Sequence, residues 1–157
     1  MSVKQFNGKY SQHDDRIMFR FNTIDQSEFI FWLTRRITHS ILTSADQFAE
    51  TAYLKVTPTV EKVISEVQQG GKPATNFTQA YEAGSKFPIG GDAVLVMEVK
   101  CQLLKIDEQE VFSLDLVLPG GANVNIKLTV PVMKSLVMLL EELNVQAKWG
   151  NPLSKYH

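Results

Sequence analysis

Arg35, Arg36 and His39 form the group of side chains whose types and spacing best suit chemistry. Arg35 and His39 lie four residues apart, so on a helix they share one side. Two guanidinium groups and an imidazole suit a carboxylate or a phosphate, because they offer several N–H donors to one anion. A helix beginning at this point would add the positive end of its backbone dipole. The opposing reading makes the same residues partners in surface ion pairs, and Arg20 on a neighbouring strand can join either arrangement.

His13-Asp14-Asp15 is the other concentration of donors. Neighbours in an extended chain point in different directions, so the triplet reads as solvated. A metal ion needs several donors converging at about 2–2.5 Å. The remaining histidines, His39 and His157, are far apart, and Cys101 is the single cysteine, so no metal is expected. Cys101 lies on the apolar side of an alternating segment and reads as a small hydrophobe. Glu141 and Glu142 are adjacent on a helical pattern and cannot face each other across a substrate. Lys148-Trp149 reads as an anchor for the tail. The chain contains no phosphate-binding Gly-Lys-Ser/Thr loop, no G-x-G-x-x-G, no G-x-S-x-G and no H-E-x-x-H. Neither a cofactor nor a catalytic residue is therefore assigned.

The elements that must carry these residues follow from hydrophobic spacing. Ile17, Phe19 and Phe21 alternate with Met18 and Arg20, and 28–34 continues in strand-like composition, which predicts a hairpin. From Arg35 the period changes: Ile37, Ile41, Ala45, Phe48 and Ala52 mark a helix face. Thr57-Pro58 opens a second helical pattern through Val60, Val63, Ile64 and Val67, ended by Gly70 and Gly71. Residues 70–91 form a long loop rich in Gly and Pro. Three alternating runs follow, 93–103, 111–118 and 124–128, with turns expected at 107–109 and 119–121. Thr129 and Pro131 start a last helix whose stripe is Met133, Leu136, Val137, Leu140 and Leu143.

The order ββαα-loop-βββα indicates one α+β domain over 1–157. The expectation is a mostly antiparallel sheet of about five strands with helices on one face. Residues 1–15 are read as a loose lead-in and 150–157 as an irregular tail.

Charge and composition narrow the partners. The formal net charge is −1, from 16 Lys and Arg against 17 Asp and Glu, so the phosphate-driven affinity of a nucleic-acid binder has no basis here. No apolar run reaches the length of a membrane span, and the opening MSVKQFNGKY lacks the apolar core of a secretory signal. A cytoplasmic protein is expected.

Three functional readings stand. The preferred one is a non-catalytic interaction or assembly protein whose partner is another protein or, most simply, a second copy in a homodimer. The second is a small-ligand or anion-binding module using Arg35, Arg36 and His39. The third is an enzyme with a dispersed site. The first rests on the N-terminal hairpin, which is apolar on both faces. With Phe29, Phe31 and Leu33 directed to the core, Ile30 and Trp32 point the other way, beside Met18. Val94, Val96, Val111 and Val117 are expected to extend that surface, and loop residues Phe77, Tyr81 and Phe87 compete to cover it.

Overall fold

A computed structural model describes residues 3–55 and 81–150, with side chains to Glu50 in the first helix. The expected helix after Thr57, the first part of the 70–91 loop with Phe77, and the tail beyond Gly150 lie outside the described residues. The class is α+β, and the described residues form two α-helices and seven strands. The strands form two sheets rather than the one expected.

The first sheet has the order β1-β2-β3-β4, from β1 (Val3–Ser11), β2 (Arg16–Thr23), β3 (Glu28–Leu33) and β4 (Val94–Leu95). Its first three strands are antiparallel, and β4 runs parallel to β3. The second sheet is the antiparallel meander β5 (Glu98–Ile106), β6 (Gln109–Val117) and β7 (Asn123–Thr129). The two helices are α1 (Arg35–Lys55) and α2 (Val130–Ala147).

Two corrections follow. Residues 1–15 are not a loose lead-in: Val3–Ser11 pairs along β2 as an edge strand. Its inward positions include Phe6, which stacks on Phe19 at 5.7 Å, and Gly8, where α2 passes overhead. A Cβ on Gly8 would stand 2.5 Å from Leu143 Cδ1, so the glycine sets how closely helix and strand approach.

The expected single strand over 93–103 is divided. Val96 N–H donates to the carbonyl of Trp32 in the first sheet, and the next residue, Met97, donates to Val117 in the second. The chain thus changes sheets between adjacent residues. Val96 turns inward and is buried, and so is Val111, so neither extends an outer surface. Val94 packs against the core.

One continuous core joins both sheets and both helices. Phe19, Phe21, Phe29 and Phe31 form its aromatic part, with ring centroids 4.9–6.4 Å apart. Burying each such side chain contributes about 1.5–3 kcal/mol. Ile37, Ile41, Ala45 and Phe48 present the predicted face of α1, and Phe48 meets Phe112 edge-on at 5.4 Å. The stripe Met133, Leu136, Leu140 and Leu143 of α2 is buried as its spacing required. Thr129 occupies the cap position of α2 without a side-chain capping bond, and Pro131 lies in the first turn.

Both expected turns of the meander are present. Asp107 and Glu108 take positive φ of 50° and 63° between β5 and β6, and Pro119–Gly121 forms a short 3-10 turn before β7.

Candidate functional site

The helix-start group is dispersed by the fold. Arg35 opens α1 exposed to solvent, near the carboxylate of Asp15. Arg36 directs Nη2 to the backbone carbonyl of Met97, 3.0 Å away, at the point where the chain changes sheets. His39 is only 8% exposed and bonds through Nε2 to Asn144 Oδ1 at 2.9 Å. Asn144 Nδ2 donates to the carbonyl of Gly150, which leaves Oδ1 as the acceptor and puts the proton on His39 Nε2. The three side chains therefore serve different structural partners and do not converge.

Their partners form a knot that joins three parts of the chain. Trp149 is buried, packs edge-on against His39 and Tyr10, and donates from Nε1 to Asp15 Oδ1 at 2.9 Å. Tyr10 donates to the same oxygen at 2.6 Å. The Tyr10 and Trp149 hydrogen bonds hold the Asp15 carboxyl below the usual carboxylate range, with a smaller contribution from Arg35. The tail-anchoring role of Trp149 was legible in the sequence. Its partner Asp15 was not, because the two are 134 residues apart.

The outer face of the first sheet divides into a polar end and an apolar row. At the polar end, Gln5, Asn22 and Glu28 lie side by side across β1, β2 and β3. The segment beginning at Tyr81 is seated on them. Tyr81 donates to Glu28 Oε1 at 2.7 Å, Gly84 N–H donates to the same oxygen at 3.1 Å, and Glu82 N–H donates to Gln5 Oε1. Arg20 lies over the Tyr81 ring at 4.6 Å and donates from Nε to Asn7. Burial, then the Glu28 hydrogen bond, raises the Tyr81 phenol well above its ordinary value, so it stays a donor. A Cβ on Gly84 would fall 2.5 Å from the Gln26 carbonyl, so glycine is what lets the segment lie this close.

The apolar row comes next along the strands. Lys9 pairs with Met18, Met18 with Trp32, and Trp32 with Leu95, one residue from each of the four strands. Met18, Trp32 and Leu95 are each half-buried, and none belongs to the core or packs against it. Ile30 differs: it lies beside Arg20 in the neighbouring row and is buried. Of the three residues assigned to this face from sequence, Met18 and Trp32 are direct cross-strand neighbours, and Leu95 is the member that sequence reading missed. In the sequence it falls in the run of apolar odd positions that continues through Val99 and Cys101, so the change of sheet hides it.

Cys101 is half-buried on β5, and burial pushes its thiol upward. Among the described residues, no group of three or more His, Cys, Asp and Glu side chains is placed to hold a metal ion. No helix among them is long and apolar enough to cross a membrane.

No family model matches the chain, and neither a curated protein nor a solved structure matches it.

Proposed function

We propose that this chain is a non-catalytic interaction protein that associates with a second copy of itself through the outer face of its first sheet. The observation that carries this reading is the Met18–Trp32–Leu95 row, an apolar line across three strands on the side away from the core. Tryptophan and methionine are enriched where proteins meet, and their partial exposure on a monomer leaves apolar area for a partner to cover. The polar end of the same face is already occupied by the segment beginning at Tyr81, which restricts docking to the row and its flanks.

The anion-binding alternative is weaker on this geometry. It retains Arg35, but His39 is committed to Asn144 and Arg36 to a backbone carbonyl.

The experiment is Trp32→Lys, followed by light scattering across a concentration series, with circular dichroism to verify the fold. The expected result is association by the wild-type protein and a folded monomer for the variant. A variant that associates like the wild type removes the sheet face from the reading.

A further inference from the structure

The charges around the apolar row limit what can dock there. Arg16 and Arg20 stand on β2 to either side of Met18, and Lys9 stands opposite it on β1, all on the outer face. The strand acid of that face, Glu28, is buried at the polar end beneath Tyr81, where the exposed Glu82 also lies, away from the row. Two copies of this face brought together would set cations against cations, and such juxtaposition costs several kcal/mol. A partner surface for the row must be apolar and carry carboxylates.

Among the described residues, α2 carries such a surface. Met138 and Val145 are 70% and 75% exposed, among the most exposed large apolar residues described, and they lie seven residues apart on one side of the helix. Glu141 and Glu142 sit between them and are exposed. Among the described residues, no hydrogen bond or ion pair engages either carboxylate. At about 100° per residue, Glu141 and Glu142 project about 50° to either side of the line from Met138 to Val145. The nearest cations on the same helix are Lys134, which has a partner of its own, and Lys148, beyond the last turn.

The dimensions agree. Seven residues of helix separate Met138 from Val145 by about 10.5 Å. Met18 and Leu95 are two strands apart, about 9.5 Å. A helix laid along the row would place its two apolar side chains over the two ends. Its carboxylates would then fall on opposite flanks, one toward the Arg16 side and one toward the Arg20 side.

From this match we infer that the sheet face receives α2 of the second copy, so that association runs head to tail. The inference rests on the reading that the sheet face is an interface, and it names what occupies that interface. The two surfaces differ, and in each chain α2 lies against the inner side of the same sheet, through Gly8 and Leu143. A contact of this kind leaves one free sheet face and one free helix stripe at the ends of every pair, so assembly continues past the dimer with concentration.

The test uses two variants of the full chain, Trp32→Lys and the double variant Glu141→Lys/Glu142→Lys, alone and mixed. Light scattering should show masses above a dimer for the wild type at high concentration, and a monomer for each variant alone. The mixture should give a capped 1:1 dimer and nothing larger, because each variant keeps the surface the other lacks. If the helix variant associates like the wild type while Trp32→Lys is monomeric, the head-to-tail inference fails and the sheet interface survives. If Trp32→Lys associates like the wild type, or if the wild type is monomeric throughout, both readings fail. A mixture that stays monomeric also overturns the head-to-tail contact. Should Trp32→Lys lose its circular dichroism signal, Lys9→Glu/Arg16→Glu replaces it, with the same outcomes expected.

Discussion

The two sheets bury their inner faces in one core but treat their outer faces in opposite ways. On the second sheet the outer side chains of Ser113, Asp115, Asn123, Asn125 and Lys127 form a hydrogen-bonded polar ladder, while Leu104, Val111 and Ile106 make the other end of that face apolar. Asn125 donates to Ser113 at 2.9 Å and to Asp115 at 2.7 Å, Asn123 donates to Asp115, and Lys127 donates to Asn125 at 2.8 Å. These groups satisfy one another across the outer side, the pattern an antiparallel sheet with one polar face takes. The first sheet carries the row Lys9–Met18–Trp32–Leu95 in the corresponding place. The same period of two builds both sheets, so the difference is not demanded by folding. The proposed interface lies on the first sheet, and this contrast is what it rests on.

The shared core is the part of this comparison where both sheets should respond alike, and it should give the largest effects. Phe19 on β2 and Leu114 on β6 are both fully buried. Phe19→Ala should cost about 3–5 kcal/mol and Leu114→Ala about 2–5 kcal/mol. Urea denaturation should show a single transition in each variant, because one cluster spans the two sheets. Two separate transitions in either variant would break the shared-core half of the comparison.

The outer faces should respond differently. Asp115→Lys removes the acceptor for two asparagine side chains and should cost about 0.5–1.5 kcal/mol per lost bond, with association unchanged. Trp32→Lys should abolish association while changing monomer stability by about 1 kcal/mol or less, the scale of one cross-strand pair. Association lost in both variants would show that the contrast between faces has no functional meaning.

What was legible in the sequence follows the same division. The inner faces could be read because buried positions repeat with a strict period: Ile17, Phe19 and Phe21 on β2, and Phe112, Leu114 and Leu116 on β6. Strand β1 was hidden because its residues are Lys, Gln, Asn, Gly and Lys at most positions, and Val3, Phe6 and Tyr10 are too few and too spread to mark its buried side. The change of sheet at Val96–Met97 left no trace in the sequence, since apolar residues run on at odd positions from Leu95 to Leu103 even though the inward side passes from Val94 and Val96 to Val99 and Cys101. His39 reads as a binding residue beside two arginines. What assigns it a structural role is Asn144, 105 residues away, which no local pattern can supply. The placement of Met18 and Trp32 side by side on the outer face was legible for a simple reason. Alternation separates inner from outer residues, but it cannot say which outer residue ends up buried, as Ile30 does.

A smaller effect should come from the turns of the second sheet. Asp107 and Glu108 form a two-residue hairpin turn with positive φ at both positions, a conformation that costs a side-chain-bearing residue about 1–2 kcal/mol. Glu108→Gly should therefore stabilise the protein by about 1 kcal/mol and raise the melting temperature by about 2–4 °C. The next turn already has Gly120 and Gly121 at φ 86° and 91°, so Gly121→Ala should act in the opposite direction. Calorimetry on the two variants measures both signs.

The smallest expected effect concerns the knot that ties the β1–β2 turn of the first sheet to the end of α2, for which the second sheet has no counterpart among the described residues. Asp15 accepts hydrogen bonds from Tyr10 and Trp149, and these favour its ionised form, so its carboxyl titrates below the ordinary value of 3.8. The sign follows by linkage. The contribution of the knot is fully present above the unfolded-state value and is lost as pH falls through the lower folded-state value. The chain has two tryptophans, so in a Trp32→Phe background the emission reports Trp149 alone. That emission should hold constant from neutral pH to about pH 4 and shift as Asp15 is protonated below it, while circular dichroism persists further into acid. Asp15→Asn should show the shifted emission already at neutral pH and no acid step of its own. An acid step of the same midpoint in Asp15→Asn would mean that another carboxyl governs the tail, and the knot would then be packing of Trp149 against Tyr10 and His39 without the charge.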